Sequence, residues 1–468
     1  MQRAEAGRRS PFFDTRRMKQ EQRGAFSSHF GTMMAIVGSA VGLGNIWRFP
    51  YLAGMNGGAA FLLLYLGLIL LVGLPMILSE FILGRATHRG AVGSFKQLAP
   101  RSRWYLVGYM GVAAGFCILG FYSVIAGWSV RFLYDAVVNA HAGLSQEEIT
   151  VGFNAFKNSG WQPILLSTGF LGLTALVVFK GVEKGVERWN KILMPLLIGI
   201  LLVLCVNSLT LEGFREGMTF LFRPDFSKIT ANTVLDALGQ VFFTLSLGMG
   251  VMITYSSYVV KSENMLRSKG IVVLIDTSIA IIAGIAIFPA VFTFQINPTE
   301  GPDLIFLTLP NIFVRMAGGQ YVGILFFLLI TIAALTSIVS IFEMMTNYLM
   351  EELKMTRRRA VWWLFGTLSV LSALCAQSQV EGSGLRIGNL NVFDLLDLLS
   401  ANYLMTVGGL LIVLFVGWHI SEKRLRRVFT SNGRYNNRLF PVFRFVVRYL
   451  SPVAVAVIFL SKIGLIRG

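Results

Sequence analysis

Residues 39–45 of this chain read Ser-Ala-Val-Gly-Leu-Gly-Asn, and residues 244–250 read Thr-Leu-Ser-Leu-Gly-Met-Gly. Each string interrupts an apolar segment long enough to cross a bilayer. A helix broken at that depth exposes backbone N–H and C=O groups that hydrocarbon cannot satisfy, so they must face protein, water or a bound solute. A pair of such breaks points to the binding site of a transporter. Half-helix N-termini offer N–H donors and partial positive charge to a carboxylate, while unwound carbonyls and half-helix C-termini suit a cation. One broken pair can therefore hold both ends of an ion-coupled anion site. Two further constellations carry chemistry. Ala333, Thr336 and Ser337, spaced i, i+3 and i+4, share one face of a helix. Asp276, in Val-Leu-Ile-Asp-Thr-Ser, is a carboxylate whose charge is costly inside a span without a partner. Plainer readings stay open: close helix packing for the glycines, bonds back to the helix for the hydroxyls, a structural ion pair for Asp276.

The elements that must position these residues are membrane spans. Of the 468 residues 54% are hydrophobic and 14% charged, with a mean hydropathy of +0.66, well short of the roughly 25% charged residues of soluble domains. Apolar runs of about 20 residues predict eleven spans, near 27–53, 58–84, 104–137, 163–179, 189–209, 232–260, 267–294, 321–350, 361–376, 393–418 and 441–466. The third and eighth are long enough to project beyond the bilayer. The organisation expected is a basic cytoplasmic tail (1–26), spans one to five (27–209), spans six to ten (232–418) and a peripheral eleventh span (438–468).

A net charge of +17 invites a nucleic-acid reading, but the charge sorts by side. One set of ends and loops holds Arg8, Arg9, Arg16, Arg17, Lys19 and Arg23, then clusters at 85–103, 357–359 and 423–427; the alternate loops hold Glu147, Glu148, Glu212, Glu300, Asp303 and Glu381. The positive-inside rule then puts the N-terminus in the cytoplasm and, with an odd span count, the C-terminus outside. The polar, basic start reads as a tail and not a cleaved signal. Cys117, Cys205 and Cys375 fall in separate spans as small buried hydrophobes and imply no disulfide or metal site. There is no His-Glu-x-x-His and no Walker A string, which argues against a membrane hydrolase or an ATP-driven pump. The absence of an N-glycosylation acceptor and the short outward loops favour a prokaryotic inner membrane.

The string Gly38-Ser39-Ala40-Val41-Gly42-Leu43-Gly44-Asn45-Ile46-Trp47-Arg48-Phe49-Pro50-Tyr51 closely resembles the signature of the neurotransmitter:sodium symporter family, which includes the bacterial transporter LeuT. The resemblance extends through Asn56-Gly57-Gly58, 240–255, 333–337 and Glu351-Glu352-Leu353-Lys354. It implies an all-α polytopic protein with a LeuT-like 5+5 inverted repeat, unwound spans one and six, and about eleven transmembrane helices here against the family's usual twelve. By the same resemblance one sodium ion sits on the Gly38, Val41 and Ala333 carbonyls with the Thr336 and Ser337 hydroxyls. A second sits on the Ala40 carbonyl, Asn45, Thr244, Asp276 and the carboxylate of the substrate. The substrate pocket takes Ser39, Ala40, Gly42, Leu43 and Gly44 from span one, Ile118 and Tyr122 from span three, Phe243, Thr244, Ser246 and Met249 from span six, and Ser337 and Ile341 from span eight.

Family amine transporters place Asp where Gly42 stands, so Gly here implies a substrate that brings its own carboxylate, an amino acid with a neutral hydrophobic or aromatic side chain. LeuT has Asn at the place of Ser39 and Phe at that of Met249, which puts leucine itself in doubt. Chloride-dependent members carry Asn where Asp276 stands and Ser one turn on, where this chain has Ala280. Asp276 is thus expected to supply the negative charge, beside Tyr65, Gln240 and Thr244, and chloride to be unnecessary. Arg48 with Asp397 resembles the outer gate, with Asp394 a competing acid, and Arg23 with Phe26 and Glu351 the inner latch. Gly185 and Pro195 resemble the motif that lets span five unwind. Glu80 and Glu343 are intramembrane acids without an assigned partner.

The function implied is sodium-coupled symport of an amino acid by alternating access, with two sodium ions. The alternatives are a sodium- or proton-coupled carrier of another zwitterion, proline- or betaine-like, and a non-transporting amino-acid sensor. The partners expected are the amino acid and the lipid bilayer, with no nucleic acid; the oligomeric state is left open.

Overall fold

A computed structural model describes residues 24–259, 264–295, 305–435, 438–462 and 465. Arg23, assigned to the inner latch, and the rest of the basic tail before it lie outside the described residues.

Among the described residues, nine continuous helices are long and apolar enough to cross a membrane: Ala59–Thr87, Tyr105–Val137, Trp161–Phe179, Val182–Ser208, Met265–Thr293, Gly319–Glu352, Arg357–Ser378, Val392–His419 and Phe440–Ser461. Two broken spans complete the expected eleven. Span one runs His29–Ala40, bends by 54° and resumes as Gly44–Met55. Span six runs Ala231–Thr244 and, after the break, Val251–Ser257. The third and eighth spans, 33 and 34 residues long, reach about 50 Å at 1.5 Å per residue, longer than a ~30 Å hydrocarbon core. They pack on each other more extensively than any other pair.

Each break has a local cause. In span one Val41 leaves the helix for an extended conformation, and a π-helical turn, Gly44–Arg48, restarts it and runs directly into the helix Phe49–Met55. In span six Ser246, Gly248 and Gly250 adopt φ of 50°, 84° and 82°, left-handed values that only glycine takes without strain. Gly248 has a second reason to lack a side chain, since a Cβ would fall 2.1 Å from the Met405 carbonyl oxygen of span ten.

Span five starts at Val182, seven residues before the expected 189. Gly181 (φ 87°) breaks the chain after span four, and a π turn, Val182–Glu187, leads into the helix. The polar sequence Glu-Lys-Gly-Val-Glu-Arg hid this turn from a hydropathy reading. Pro195 lies inside the helix that follows, and a Cβ on Gly185 would sit 2.1 Å from the Val177 carbonyl oxygen.

Outward-facing Leu70, Leu71, Leu165, Val203, Val206 and Leu274 leave wide apolar surface bare, which lipid and not water must cover. Inside, Glu80, Glu187, Lys269, Asp276 and Glu343 are fully buried. A short antiparallel hairpin (Arg386↔Asn391, Ile387↔Leu390) and an amphipathic helix, Gln146–Asn158, with a Ser145/Glu148 capping box, decorate the loops.

Candidate binding site

The two breaks face each other. The Asn45 amide nitrogen donates to Thr244 Oγ1 (3.0 Å), to the Asp276 carbonyl (3.1 Å) and to Asp276 Oδ1 (2.9 Å). Thr244 Oγ1 lies 3.1 and 3.0 Å from the two Asp276 carboxylate oxygens. Gln240 Nε2 donates to the Gly44 carbonyl at 2.9 Å, and the Tyr65 hydroxyl lies beside Thr244 and Thr277. Spans one, two, six and seven thus converge on one buried carboxylate. The Asn45 Oδ1 accepts the freed Gly42 N–H at 3.1 Å. With its nitrogen toward Asp276 the amide presents no oxygen on that side; turning it over would present one, at the loss of the Gly42 bond. The donor set otherwise fits a hard monovalent ion: hydroxyl, carbonyl and carboxylate oxygens.

Spans one and eight meet at the other constellation. Ser337 Oγ donates to the Val41 carbonyl across the interface (3.3 Å), whereas Thr336 Oγ1 bonds back to the Ile332 and Ala333 carbonyls of its own helix (3.2 and 3.1 Å). Thr336 thus bonds back to its own helix, while Ser337 bonds across to span one. Asn190 of span five adds an unforeseen oxygen. Its Nδ2 donates to the Val186 carbonyl, while its buried Oδ1 has no partner and sits against Gly38, where a Cβ would fall 2.0 Å away. No cluster of three His, Cys, Asp or Glu able to hold a metal exists among the described residues, so any cation here relies mainly on neutral oxygens.

Between these constellations lies a cavity of about 50 Å³. All thirteen residues assigned to the pocket line it: Ser39, Ala40, Gly42, Leu43, Gly44, Ile118, Tyr122, Phe243, Thr244, Ser246, Met249, Ser337 and Ile341. Phe121, Asp397, Ser400, Ala401 and Met405 line it too. The last four come from span ten, where a π turn, Leu399–Leu404, bulges the helix toward the cavity. Hydropathy carries no signal for a π turn, so this wall was not foreseen apart from Asp397. Tyr122 Oη accepts the Leu43 N–H (3.4 Å), Ser246 Oγ donates to the Ser39 carbonyl (3.2 Å), and the buried Ser39 Oγ has no partner. A Cβ on Gly42 would fall 2.5 Å from Ser337 Oγ, and one on Gly44 2.8 Å from the Phe243 ring.

Arg48 lies over the Phe243 ring, 4.6 Å from its centroid, in the electrostatic range of Asp397 and Asp236. Asp394 does not compete for it: its N–H and carboxylate are engaged by Asn391 at a helix start (2.8 Å each). At the other end Phe26 packs edge-on against Tyr255 and Tyr258 (5.8 and 6.0 Å). Glu351 accepts the Gly90 N–H (3.0 Å) and the Asn347 amide (2.9 Å). The two unassigned acids find partners. Glu80 Oε1 accepts the Gly248 N–H exposed by the break in span six (2.7 Å). Glu343 takes a two-pronged bond from Arg357 (2.7 and 2.8 Å) and the Tyr258 hydroxyl (2.7 Å).

Two helices broken at mid-depth around a shared cavity, in a bundle of eleven spans, define a LeuT-fold secondary carrier. The chain belongs to the sodium:neurotransmitter symporter family, whose profile matches residues 23–144 and 146–467. It is 38% identical to the uncharacterized sodium-dependent transporter YhdH of Bacillus subtilis, over 96% of this chain and all of that one. It is 35% identical to an uncharacterized sodium-dependent transporter of Haemophilus influenzae, over 95% and 99% of the two chains. Among solved structures, MhsT in complex with L-phenylalanine superposes with a TM-score of 0.85 at 42% identity, over 94% of this chain and all of that one. The protein is accordingly a sodium-dependent, multi-pass membrane symporter and not an enzyme.

Proposed function

We propose that this symporter imports a neutral, hydrophobic or aromatic amino acid across a bacterial inner membrane, with two sodium ions and without chloride, its N-terminus in the cytoplasm. The observation that carries the substrate class is Gly42 pressed against Ser337 beside a mostly apolar cavity. Glycine at 42 offers no acidic side chain to pair a substrate amine, and a larger residue there would fill the cavity, so the substrate's own carboxylate meets the freed N–H groups and the ion. The L-phenylalanine held by MhsT supports a cavity of this kind taking an aromatic side chain.

In this reading sodium recruits the Asn45, Thr244 and Asp276 oxygens, orders the two breaks and raises amino-acid affinity. Phe243 and Tyr122 close over the substrate, Arg48 and Asp397 seal above them, and the Phe26 contacts to Tyr255 and Tyr258 release below. Each positive charge carried inward at ~100 mV supplies about 2.3 kcal/mol, enough for roughly 50-fold accumulation before the sodium gradient is counted. Asp276 carries the fixed negative charge that chloride supplies elsewhere.

Uptake of labelled phenylalanine, leucine and proline into vesicles holding the purified protein tests the whole reading. Uptake of the first two should need sodium, survive replacement of chloride by gluconate and vanish with choline. Proline-only uptake, or uptake driven by protons in choline, defeats the substrate or the ion assignment; binding without accumulation makes the protein a sensor. Asp276→Asn should lose chloride-free uptake, and full retention would remove Asp276 from its role.

A further inference from the structure

The turn between spans ten and eleven is densely basic. Residues 421–444 hold seven Lys or Arg against one acid, Glu422, which Arg444 already engages. The helix Glu422–Phe429 decides where the rest point. Leu425 and Phe429 are buried, and Phe429 packs on Phe440 and Phe443 of span eleven (5.6 and 5.0 Å), pinning the helix by one face. Lys423, Arg426 and Arg427 are left on the exposed face, with Arg426 steadied over the Phe440 ring at 5.3 Å. Together with Thr430, Asn432, Gly433 and the acid Glu422, whose charge Arg444 engages, they line an open cleft of about 580 Å³.

A second observation fixes the depth of this cleft. Trp418 ends span ten, donates to the Arg448 carbonyl (2.9 Å) and carries the Arg448 guanidinium over its ring at 4.1 Å. Trp418, at the end of span ten, and Val442, Phe445 and Tyr449, along the first half of span eleven, are all exposed. Aromatic rings of this kind mark the level of lipid head groups. Cations that converge on a cleft, directly beside bare apolar surface, match an anionic head joined to acyl chains. The positive-inside rule explains the sign of the loop, but neither the cleft nor its apolar neighbour.

We propose that this cleft binds the phosphate head group of an anionic phospholipid, whose acyl chains run along Phe445 and Tyr449. The test is native mass spectrometry of the full-length protein in detergent, offered phosphatidylglycerol and phosphatidylcholine of identical chains. The wild type should retain phosphatidylglycerol about tenfold better, since each basic residue near a head group strengthens the attraction. K423Q/R426Q/R427Q should lose this preference, while R101Q/R103Q/R359Q, which removes three exposed charges from the same side, should keep it. Equal retention of the two lipids by the wild type overturns the proposal without recourse to any variant. So does a preference that survives the cleft triple or falls equally in both triples. Full displacement by millimolar inorganic phosphate marks a soluble-anion site and overturns the lipid assignment.

Discussion

Gly42 and Gly38 are held to glycine by different neighbours, and the difference predicts different losses. At Gly42 the nearest obstacle is the terminal Oγ of Ser337, 2.5 Å from where a Cβ would sit, with Tyr122 Oη 3.5 Å away. A hydroxyl can swing aside, so Gly42→Ala should fold normally yet fill the cavity. The expected outcome is amino-acid affinity at least tenfold weaker in sodium-dependent binding, with an unchanged melting temperature. At Gly38 the obstacle is Asn190 Oδ1 at 2.0 Å and its Cγ at 3.0 Å, next to carbonyls assigned to a sodium ion. Gly38→Ala should shift the sodium dependence of that binding and leave affinity at saturating sodium nearly intact. An unshifted sodium titration would separate Asn190 and Gly38 from the ion. Gly42 was legible in the sequence as part of a break and Gly38 as the glycine just before it, but their obstacles were not, because Ser337 and Asn190 lie 295 and 152 positions further along the chain.

Two helix ends are held by single buried acids. Glu187 accepts both the backbone N–H and the hydroxyl of Ser27 (2.6 and 2.9 Å) and of Ser28 (3.2 and 2.8 Å), so one carboxylate caps the start of span one from span five. Negative charge at a helix N-terminus is favourable, and an uncapped end frays. Glu187→Gln should therefore speed hydrogen exchange in residues 28–34 by tenfold or more, with spans three and eight unaffected. Glu343 and Arg357 tie the eighth span to the start of the ninth. Breaking a buried pair from one side strands a charge, at about 3–5 kcal/mol, whereas removing both does not. Glu343→Gln should lower thermal stability more than the E343Q/R357Q double variant does; additive losses would show that the pair is not coupled.

For the whole molecule, the broken segments of spans one and six hand part of their backbone bonding to a small set of side chains: Glu80 caps the Gly248 N–H, Asn45 the Gly42 N–H, and Gln240 adds to the Gly44 carbonyl. Ligands that complete the set should stabilise the fold by mass action, about 2.7 kcal/mol at a hundred times the dissociation constant. Sodium and phenylalanine together should therefore raise the melting temperature by several degrees more than either alone, and choline should not replace sodium. Equal shifts in sodium and choline would detach the ion from the broken helices.

What the sequence determined by itself was everything set by local composition: eleven apolar stretches, the two glycine interruptions, and the sorting of charge by side. These follow from the solvent each segment must meet and from which residues tolerate a left-handed or unhydrogen-bonded backbone. Family resemblance then assigned Asn45, Thr244 and Asp276 to one site, residues that spacing alone left far apart. Only the tertiary structure decided which span-ten residues wall the cavity, that Glu343 belongs to Arg357, that Asp394 is spent on its own helix cap, and that Asn190 leans on Gly38. Each is a meeting of side chains from distant spans, fixed by how the helices pack and where a π turn shifts their faces, and no periodicity along a single segment encodes it.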